Sequence, residues 1–530
     1  MLSRQKDWIH YWLATGVAVL AFVFLALAVS GGFHESLTCD EPIFIASGYS
    51  YLVRNDFRMN SEAPPFLQVL VALPLAAMGA PFPPKEDPDW QEVNQGPFCT
   101  KVVFGSGIPI RKVAFWCRLP IALLSSGLIL ALYLWARNLY GPKPAILAPF
   151  LLAFSPNFMA HGRLATTDAG CATFMFVSVW FFWRSIRWNR IRDWVLLGFA
   201  TGLALASKYT SLLLGPIYVV LLVGCILKDR SSFPWKSLVL RLTISTAVAF
   251  LIVGVSYNFS FRPSLYLRGM QQIYKTVTPD YSYYLWGKIS DTPWKSYNIL
   301  AFLIKTPLPI LILLVAATVA LARDDRHREA AFFLWVPIFV IVGVACFDRA
   351  NLGLRRILPA LPFLFVFCVQ SIAIATDWKK PALAALLGVW LVWETVAINP
   401  FQLSYFNQLV GGPKNGLRFL DDSNIDWGQD LPELAAWQRR HPEAQPMRLL
   451  YFGTSWPEAY GVVCEPLLDS DIVKPRPGYY AVSAHCLIIL KKVQRHQGGD
   501  MDWLAKYKPV DKVGTTFTIY EFPRSAEEAR

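Results

Sequence analysis

The sequence predicts a polytopic α-helical membrane protein with about eleven spanning helices, amphipathic helices in the loop after the first span, and a small C-terminal α/β domain. Three observations lead there. Of 530 residues, 54% are apolar and only 16% are charged, where soluble domains carry roughly 25% charged residues. The mean hydropathy is +0.37. Apolar stretches long enough to cross a bilayer, which takes about 17–25 residues, recur along the chain as far as residue 399.

The candidate spans are 10–31, 114–136, 144–160, 169–187, 194–207, 209–227, 238–257, 297–322, 331–347, 356–376 and 381–399. The first could be mistaken for a signal peptide cleaved after Ala28-Val29-Ser30, but its uncharged run is too long for an ordinary signal core and ten more spans follow, so it reads as a retained helix. The weakest is 194–207, with fourteen uncharged residues between Asp193 and Lys208; tilt or a snorkelling lysine would let it reach.

Orientation comes from the basic residues. With a cytoplasmic N-terminus, the inner loops hold Arg4 and Lys6; Arg137 and Lys143; Arg184, Arg187, Arg190 and Arg192; Lys228, Arg230, Lys236 and Arg241; Arg323, Arg326 and Arg328; Lys379 and Lys380, seventeen in all. The short outer connections hold Arg163, Lys208, Arg349, Arg355 and Arg356, which is five. Such a bias marks the cytoplasmic side. The net charge of +13 is therefore mostly a topology signal, and a nucleic-acid partner is excluded.

Three segments too long for turns, 32–113, 258–296 and 400–530, then fall on the outer face. The chain divides into a membrane module, 1–399, and a C-terminal domain, 400–530. In the first loop, Glu41–Val53 and Pro65–Met78 read as helices, with Asp40 before Pro42 and Ser61 before Pro64 and Pro65 as start signals. In the last segment, Arg448–Phe452, Tyr479–Val482, Leu487–Leu490 and Thr516–Phe522 read as strands and Leu431–Arg440 as a helix. The nine cysteines show no CxxC or other zinc spacing. Cys39, Cys99, Cys464 and Cys486 face the oxidising side, and Cys464 with Cys486 is a candidate disulfide.

Chemistry-bearing residues gather on the outer face. Asp40 and Glu41 sit next to one another just after the first span, where low dielectric would raise a carboxyl pKa and suit it to take a proton from a hydroxyl; the alternative is that Asp40 only caps a helix. Asp168 lies at the outer edge of the fourth span, beside the cap-type residues Thr166 and Thr167, and has the same two readings. Lys208, Arg355 and Arg356, with Arg118, could surround an anionic head group or simply snorkel to lipid phosphate. The run Asp422-Ser423-Asn424-Ile425-Asp426-Trp427-Gly428-Gln429-Asp430 has the amides, carboxylates and indole that hold a sugar, or that build a tight turn before a helix.

Taken in order, these pieces resemble the phospholipid-carrier-dependent glycosyltransferases of the GT-C superfamily, specifically family 39, related to protein O-mannosyltransferases and the lipid A aminoarabinose transferase. The resemblance rests on Asp40-Glu41, Glu62-Ala63-Pro64-Pro65-Phe66-Leu67, Gly162-Arg163, Asp168, Lys208-Tyr209-Thr210, Arg355-Arg356 with Pro359 and Pro362, and Ser423–Leu431, and covers roughly residues 10–440. Many relatives carry a histidine where this chain has Ala63, which leaves no imidazole at that point. The resemblance implies a GT-C fold in a bacterial cytoplasmic membrane. It implies a sugar donor on a polyprenyl or dolichyl phosphate and transfer, with inversion, to a protein, glycan or lipid acceptor on the outer face.

On this resemblance Asp40 is the base, Glu41 orients it, and Asp168 holds the acceptor or a divalent cation. Lys208, Arg355, Arg356 and Arg118 bind the carrier phosphate, and Glu62, Arg163, Asn424, Asp426, Trp427 and Gln429 contact substrate. Some relatives use Mg²⁺ or Mn²⁺; Asp40, Asp168 and Glu62 could complete such a shell only with water and substrate oxygens, so the metal stays open. Two rival classes remain: a transporter or flippase of lipid-linked sugars, against which stands the absence of internal repeats, and a non-catalytic sugar-binding membrane subunit.

Overall fold

The computed structural model describes residues 2–228, 235–258, 263–276, 282–373 and 379–523. Arg230 and the parts 259–262 and 277–281 of the second long loop lie outside the described residues.

This is an integral membrane protein. Among the described residues, seven helices are long and apolar enough to cross a bilayer: Tyr11–His34 within α1 (Leu2–His34), Ile110–Tyr140, Asp168–Trp188, Tyr209–Lys228, Ser237–Ser256, Asp325–Ala345 and Leu354–Ala373. Two bent pairs bring the number to nine if each is one span. Among the described residues all eleven expected stretches contain helix, but four of them are not straight helices of full spanning length.

Proline accounts for two of the four. The stretch 144–160 bends by 61° between Pro144–Ala153 and Pro156–Gly162. There Ser155 is extended, and its hydroxyl accepts from Phe158 N to start the second helix at Pro156. The stretch 297–322 turns by 109° between Tyr297–Lys305 and Leu308–Arg323. Thr306, forced out of helical geometry by Pro307, makes that corner.

The other two stretches are short. The weak one is the 15-residue helix Ile191–Leu205, held by packing against Trp235–Ser256 and Asp168–Trp188. At Gly198 and Gly202 a Cβ would come within 2.4 Å of Ser245 O and 2.7 Å of Ile252 Cβ. The two backbones thus approach as closely as small residues spaced four apart permit. The last stretch is the apolar helix Ala382–Ala397.

In the first loop, α2 (Glu41–Arg54) and α3 (Pro65–Ala77) form where expected and pack on each other. Pro64, not Ser61, stands at the start of α3, because the fixed φ of consecutive prolines presets the first turn. The second loop holds a hairpin of β1 (Tyr283–Leu285) and β2 (Lys288–Ser290).

The C-terminal sheet has the order β4-β3-β5-β7-β6, with β3 (Met447–Leu450) parallel to β4 (Cys464–Pro466) and to β5 (Gly478–Ser483). β7 (Phe517–Phe522) runs antiparallel to β5 and to β6 (Asp511–Val513). Leu487–Leu490 is not a strand but part of the helix Ala484–Gln497. Its buried Ala484, Leu487, Ile488 and Leu490 recur at helical spacing around a short apolar run that period 2 does not fit. Cys464 and Cys486 are free rather than bridged: the first lies on the edge strand β4 and the second on the helix that follows β5.

The C-terminal domain is tied to the first loop by residues 36–39. Ser36 N donates to Gln429 O and Cys39 N to Trp427 O, both at 2.9 Å; Ser36 Oγ donates to Gly428 O at 2.7 Å and Thr454 Oγ1 to Cys39 O at 2.7 Å. These bonds carry Trp427 to the start of α2.

Gly198→Val should lower stability by about 1–3 kcal/mol through overpacking, read as a lower Tm in detergent. Gly215→Val, whose added Cβ meets nothing within 4 Å, should leave Tm nearly unchanged.

Candidate active site

Asp40 occupies the residue before α2, yet its side chain makes no capping hydrogen bond. What fixes this end of the helix is Glu41. Its carboxylate is fully buried and accepts from Arg118 Nε at 2.8 Å and Nη2 at 2.6 Å, from Thr38 N at 2.7 Å and from Ala165 N at 2.8 Å. Arg118, also buried, spends its other N–H groups on Gly32 O at 2.6 Å and Ser36 O at 2.7 Å. Burial alone would push the Glu41 carboxyl up, but the guanidinium and the donated amides outweigh it and hold the group below its ordinary value. Successive side chains diverge by about 100° around a helix, so with Glu41 turned inward Asp40 faces outward.

Asp40 opens into a cavity of about 340 Å³ that Glu62, Lys208, Arg355, Arg356, Asp422, Trp427 and Phe452 also line. Its carboxylate is 32% exposed and accepts from Arg355 Nη2 at 3.0 Å. Arg355 Nε lies 3.4 Å from the second carboxylate, Asp168, whose other oxygen pairs with Lys208. The Arg355 guanidinium stacks 4.2 Å from the Trp427 ring centre. Acid and base therefore alternate as Asp40, Arg355, Asp168, Lys208, while Arg356 lies 3.1 Å from Asp348. Thr167 makes no side-chain cap on the helix that Asp168 opens, so capping explains neither carboxylate.

Of the residues singled out in the sequence, Asp40, Glu62, Lys208, Arg355, Arg356 and Trp427 line one cavity, and Asp168 stands directly behind it. The others serve the fold around it. Arg118 is held by Glu41. Arg163 is buried on Glu35 at 3.1 Å and on Gln402 Oε1 at 2.6 Å.

Asn424 Oδ1 accepts from Leu354 N at 3.3 Å, and Gly353, at φ +69°, leaves room for that amide where a Cβ would lie 2.0 Å from it. Asp426 accepts from Gly428 N at 3.1 Å and His485 N at 2.9 Å, and Gln429 Oε1 accepts from Trp427 N at 2.7 Å. The run that reads as a sugar site is thus largely a strut that presents Trp427. One participant escapes sequence reasoning: Glu35 is signalled only by the need of Arg163 for a partner. Asp422 belongs to the run that reads as a sugar site, where its doublet with Asp421 does not show which of the two faces the cavity.

A larger cavity of about 760 Å³, lined by Arg54, Arg58 and Arg268 among others, shares Asn60 and Ala63 with the first. Among the described residues no three His, Cys, Asp or Glu side chains gather as metal ligands. A guanidinium already bridges Asp40 and Asp168, where a divalent ion would have to displace it. The donor set does not fit a resident metal.

The structure superposes on that of ArnT from Cupriavidus metallidurans in the apo state with a TM-score of 0.52, at 14% identity, over 96% of this chain and 97% of that one. The form of ArnT bound to undecaprenyl phosphate matches with a TM-score of 0.51 at 13% identity, over 96% and 97% of the two chains. The oligosaccharyltransferase of Archaeoglobus fulgidus matches with a TM-score of 0.50 at 12% identity, over 89% of this chain and 70% of that one. The chain thus shares its fold with ArnT and with the Archaeoglobus oligosaccharyltransferase. In sequence, residues 108–253 match the family model for dolichyl-phosphate-mannose-protein mannosyltransferases. No curated protein matches the chain by sequence.

Breaking a buried ion pair by removing one partner costs about 3–5 kcal/mol, so Arg118→Met should lower the unfolding free energy by about that much. The Glu41 carboxyl is held low in the folded state, so its contribution is present above the ordinary carboxyl pKa of about 4.3 and is lost as pH falls through its folded value. Unfolding curves between pH 3 and 6 should therefore be less pH-dependent for Glu41→Gln than for the unaltered protein.

Proposed function

We propose that the protein is a glycosyltransferase that moves a sugar from a polyprenyl-phosphate donor to an acceptor hydroxyl or phosphate on the extracytoplasmic face of the membrane, with inversion and with Asp40 as the base. The observation that carries this reading is that the Asp40 carboxylate opens into the same small cavity as Lys208, Arg355 and Arg356. A base beside three cations suits the departure of a phosphate. The GT-C fold and the undecaprenyl phosphate held by ArnT support a lipid-carried donor.

The chemistry follows from the charges. A polyprenyl phosphate leaves well once cations neutralise it, so no acid is needed to protonate the leaving oxygen. The acceptor oxygen attacks the anomeric carbon from the face opposite the phosphate. The new C–O bond forms as the old one breaks, the bonding pair leaves on the phosphate, and the acceptor proton passes to Asp40. With an acceptor phosphate no proton needs to be taken.

Arg355 and Arg356 both line this cavity, and their Nε groups rest against the carboxylates of Asp168 and Asp348. Ile43, Phe44, Ile273 and Leu352 on the same wall suit the first isoprene units. An arriving phosphate also competes with Asp40 for Arg355, so donor binding releases the base.

Asp40→Asn should reduce transfer of radiolabelled sugar by about 10²–10⁴-fold while helix content and membrane insertion stay unchanged and undecaprenyl phosphate affinity does not fall; retained transfer removes Asp40 as base. Arg356→Gln should weaken undecaprenyl phosphate binding by about tenfold or more, as loss of a charge-assisted bond implies, measured by direct titration.

A further inference from the structure

Asp422 has a backbone that its neighbours do not explain. Its φ is +56°, the left-handed region that side chains other than glycine enter at a cost and that Asn and Asp tolerate best. Among the described residues, six non-glycine positions have positive φ, and Asp422 is the one that lines the reaction cavity. Such strain persists where the surroundings over-determine it, and it clusters at functional sites.

The surroundings do clamp it. The Asp422 carbonyl accepts from Ile425 N at 2.9 Å and Asp426 N at 3.0 Å. On one side, the Asp421 carboxylate is taken by Lys492 at 3.1 Å and His485 at 3.4 Å. On the other, Asp426 is taken by the amides of Gly428 and His485. Both flanking carboxylates are spent on the fold.

Asp422 is half-buried at the cavity wall, and only its Oδ1 is engaged, by Ser423 N. Among the described residues no hydrogen bond or ion pair reaches its Oδ2. Its charge is felt at the active-site end of α2: the Cys39 thiol is pushed up by burial first, and then by Asp40 and Asp422.

A clamped, strained turn that puts an open carboxylate oxygen in the cavity beside the Trp427 and Phe452 rings is built for a ring with one apolar face and several hydroxyls. We infer that Asp422 holds the sugar of the donor, accepting from hydroxyl groups of a neutral hexose or pentose while an aromatic ring covers its apolar face. The lipid phosphate rests separately on Lys208, Arg355 and Arg356. The inference deepens the proposed donor site and rests on it for the lipid carrier. It adds the residue that distinguishes a loaded carrier from an empty one.

Asp422→Asn is the test, because Asn keeps the shape and the tolerance of positive φ and removes only the charge. Binding to the full-length protein in nanodiscs is titrated with undecaprenyl phosphate and with its mannosyl and arabinosyl forms. The unaltered protein should bind at least one sugar-bearing form about tenfold more tightly than the bare carrier. Asp422→Asn should erase that preference without weakening the binding of bare carrier. Asp422→Gly, which relieves the strain, should lose the preference equally.

A preference retained in Asp422→Asn overturns the inference, as does a parallel loss of bare-carrier affinity or the lack of any preference in the unaltered protein. A normal preference with abolished transfer overturns it too, since Asp422 would then act in chemistry rather than in sugar binding. Transfer that survives Asp40→Asn would refute the proposed base and leave these binding results standing.

Discussion

The buried pair of Glu41 and Arg118 is the interaction on which the site depends. It joins the first turn of α2 to the long membrane helix Ile110–Tyr140, and its spare donors bind the carbonyls of Gly32 and Ser36, so it also fixes the exit of α1. A pair this dry adds little net stability compared with apolar packing. Its effect is positional. With Glu41 anchored inward, the adjacent carboxylate of Asp40 has one direction left, and that direction is the cavity. Two neighbouring acids thus take opposite roles, one as a peg and one as the group exposed to the cavity.

Around the cavity the same economy recurs. Arg355 touches two carboxylates and an indole, so the site is nearly neutral although it is rich in charge. Neutrality makes such a cluster tolerable at a membrane surface, and it means that an anion can enter by exchanging one partner for another rather than by meeting a bare cation. The segment Asn424–Gln429 contributes differently. Its amides and carboxylates hold loops together, and only its indole reaches the cavity along with the strained Asp422 upstream. Pairing between residues 36–39 and 427–429 makes the C-terminal domain part of the wall of the site.

The helices were legible because apolar length is a property of local sequence, and the charges at the helix ends around the cavity were legible because ionisable residues there are few. The breaks at Pro156 and Pro307 were less so: proline signals a bend, but how far the chain turns depends on what the second segment packs against. Arg118 and Arg163 were drawn to the site by their charge, and the structure gives both to buried acids. Only the third dimension reveals that Glu41 and Glu35 lie within reach, since their separations in sequence are large. Asp422 stands in the run that reads as a sugar site, but nothing in a doublet of acids tells which one is consumed by a lysine and which is left open. Leu487–Leu490 shows that four apolar residues do not choose between strand and helix until their burial is known.

The most direct measurement is a structure with a polyprenyl phosphate bound. The account predicts that the phosphate lies within hydrogen-bond distance of Lys208, Arg355 or Arg356 and that the contact between Arg355 and Asp40 is broken, with the Asp40 carboxylate facing the anomeric position. A phosphate seated instead in the larger neighbouring cavity, on Arg54, Arg58 and Arg268, with Asp40 still paired to Arg355, would contradict it.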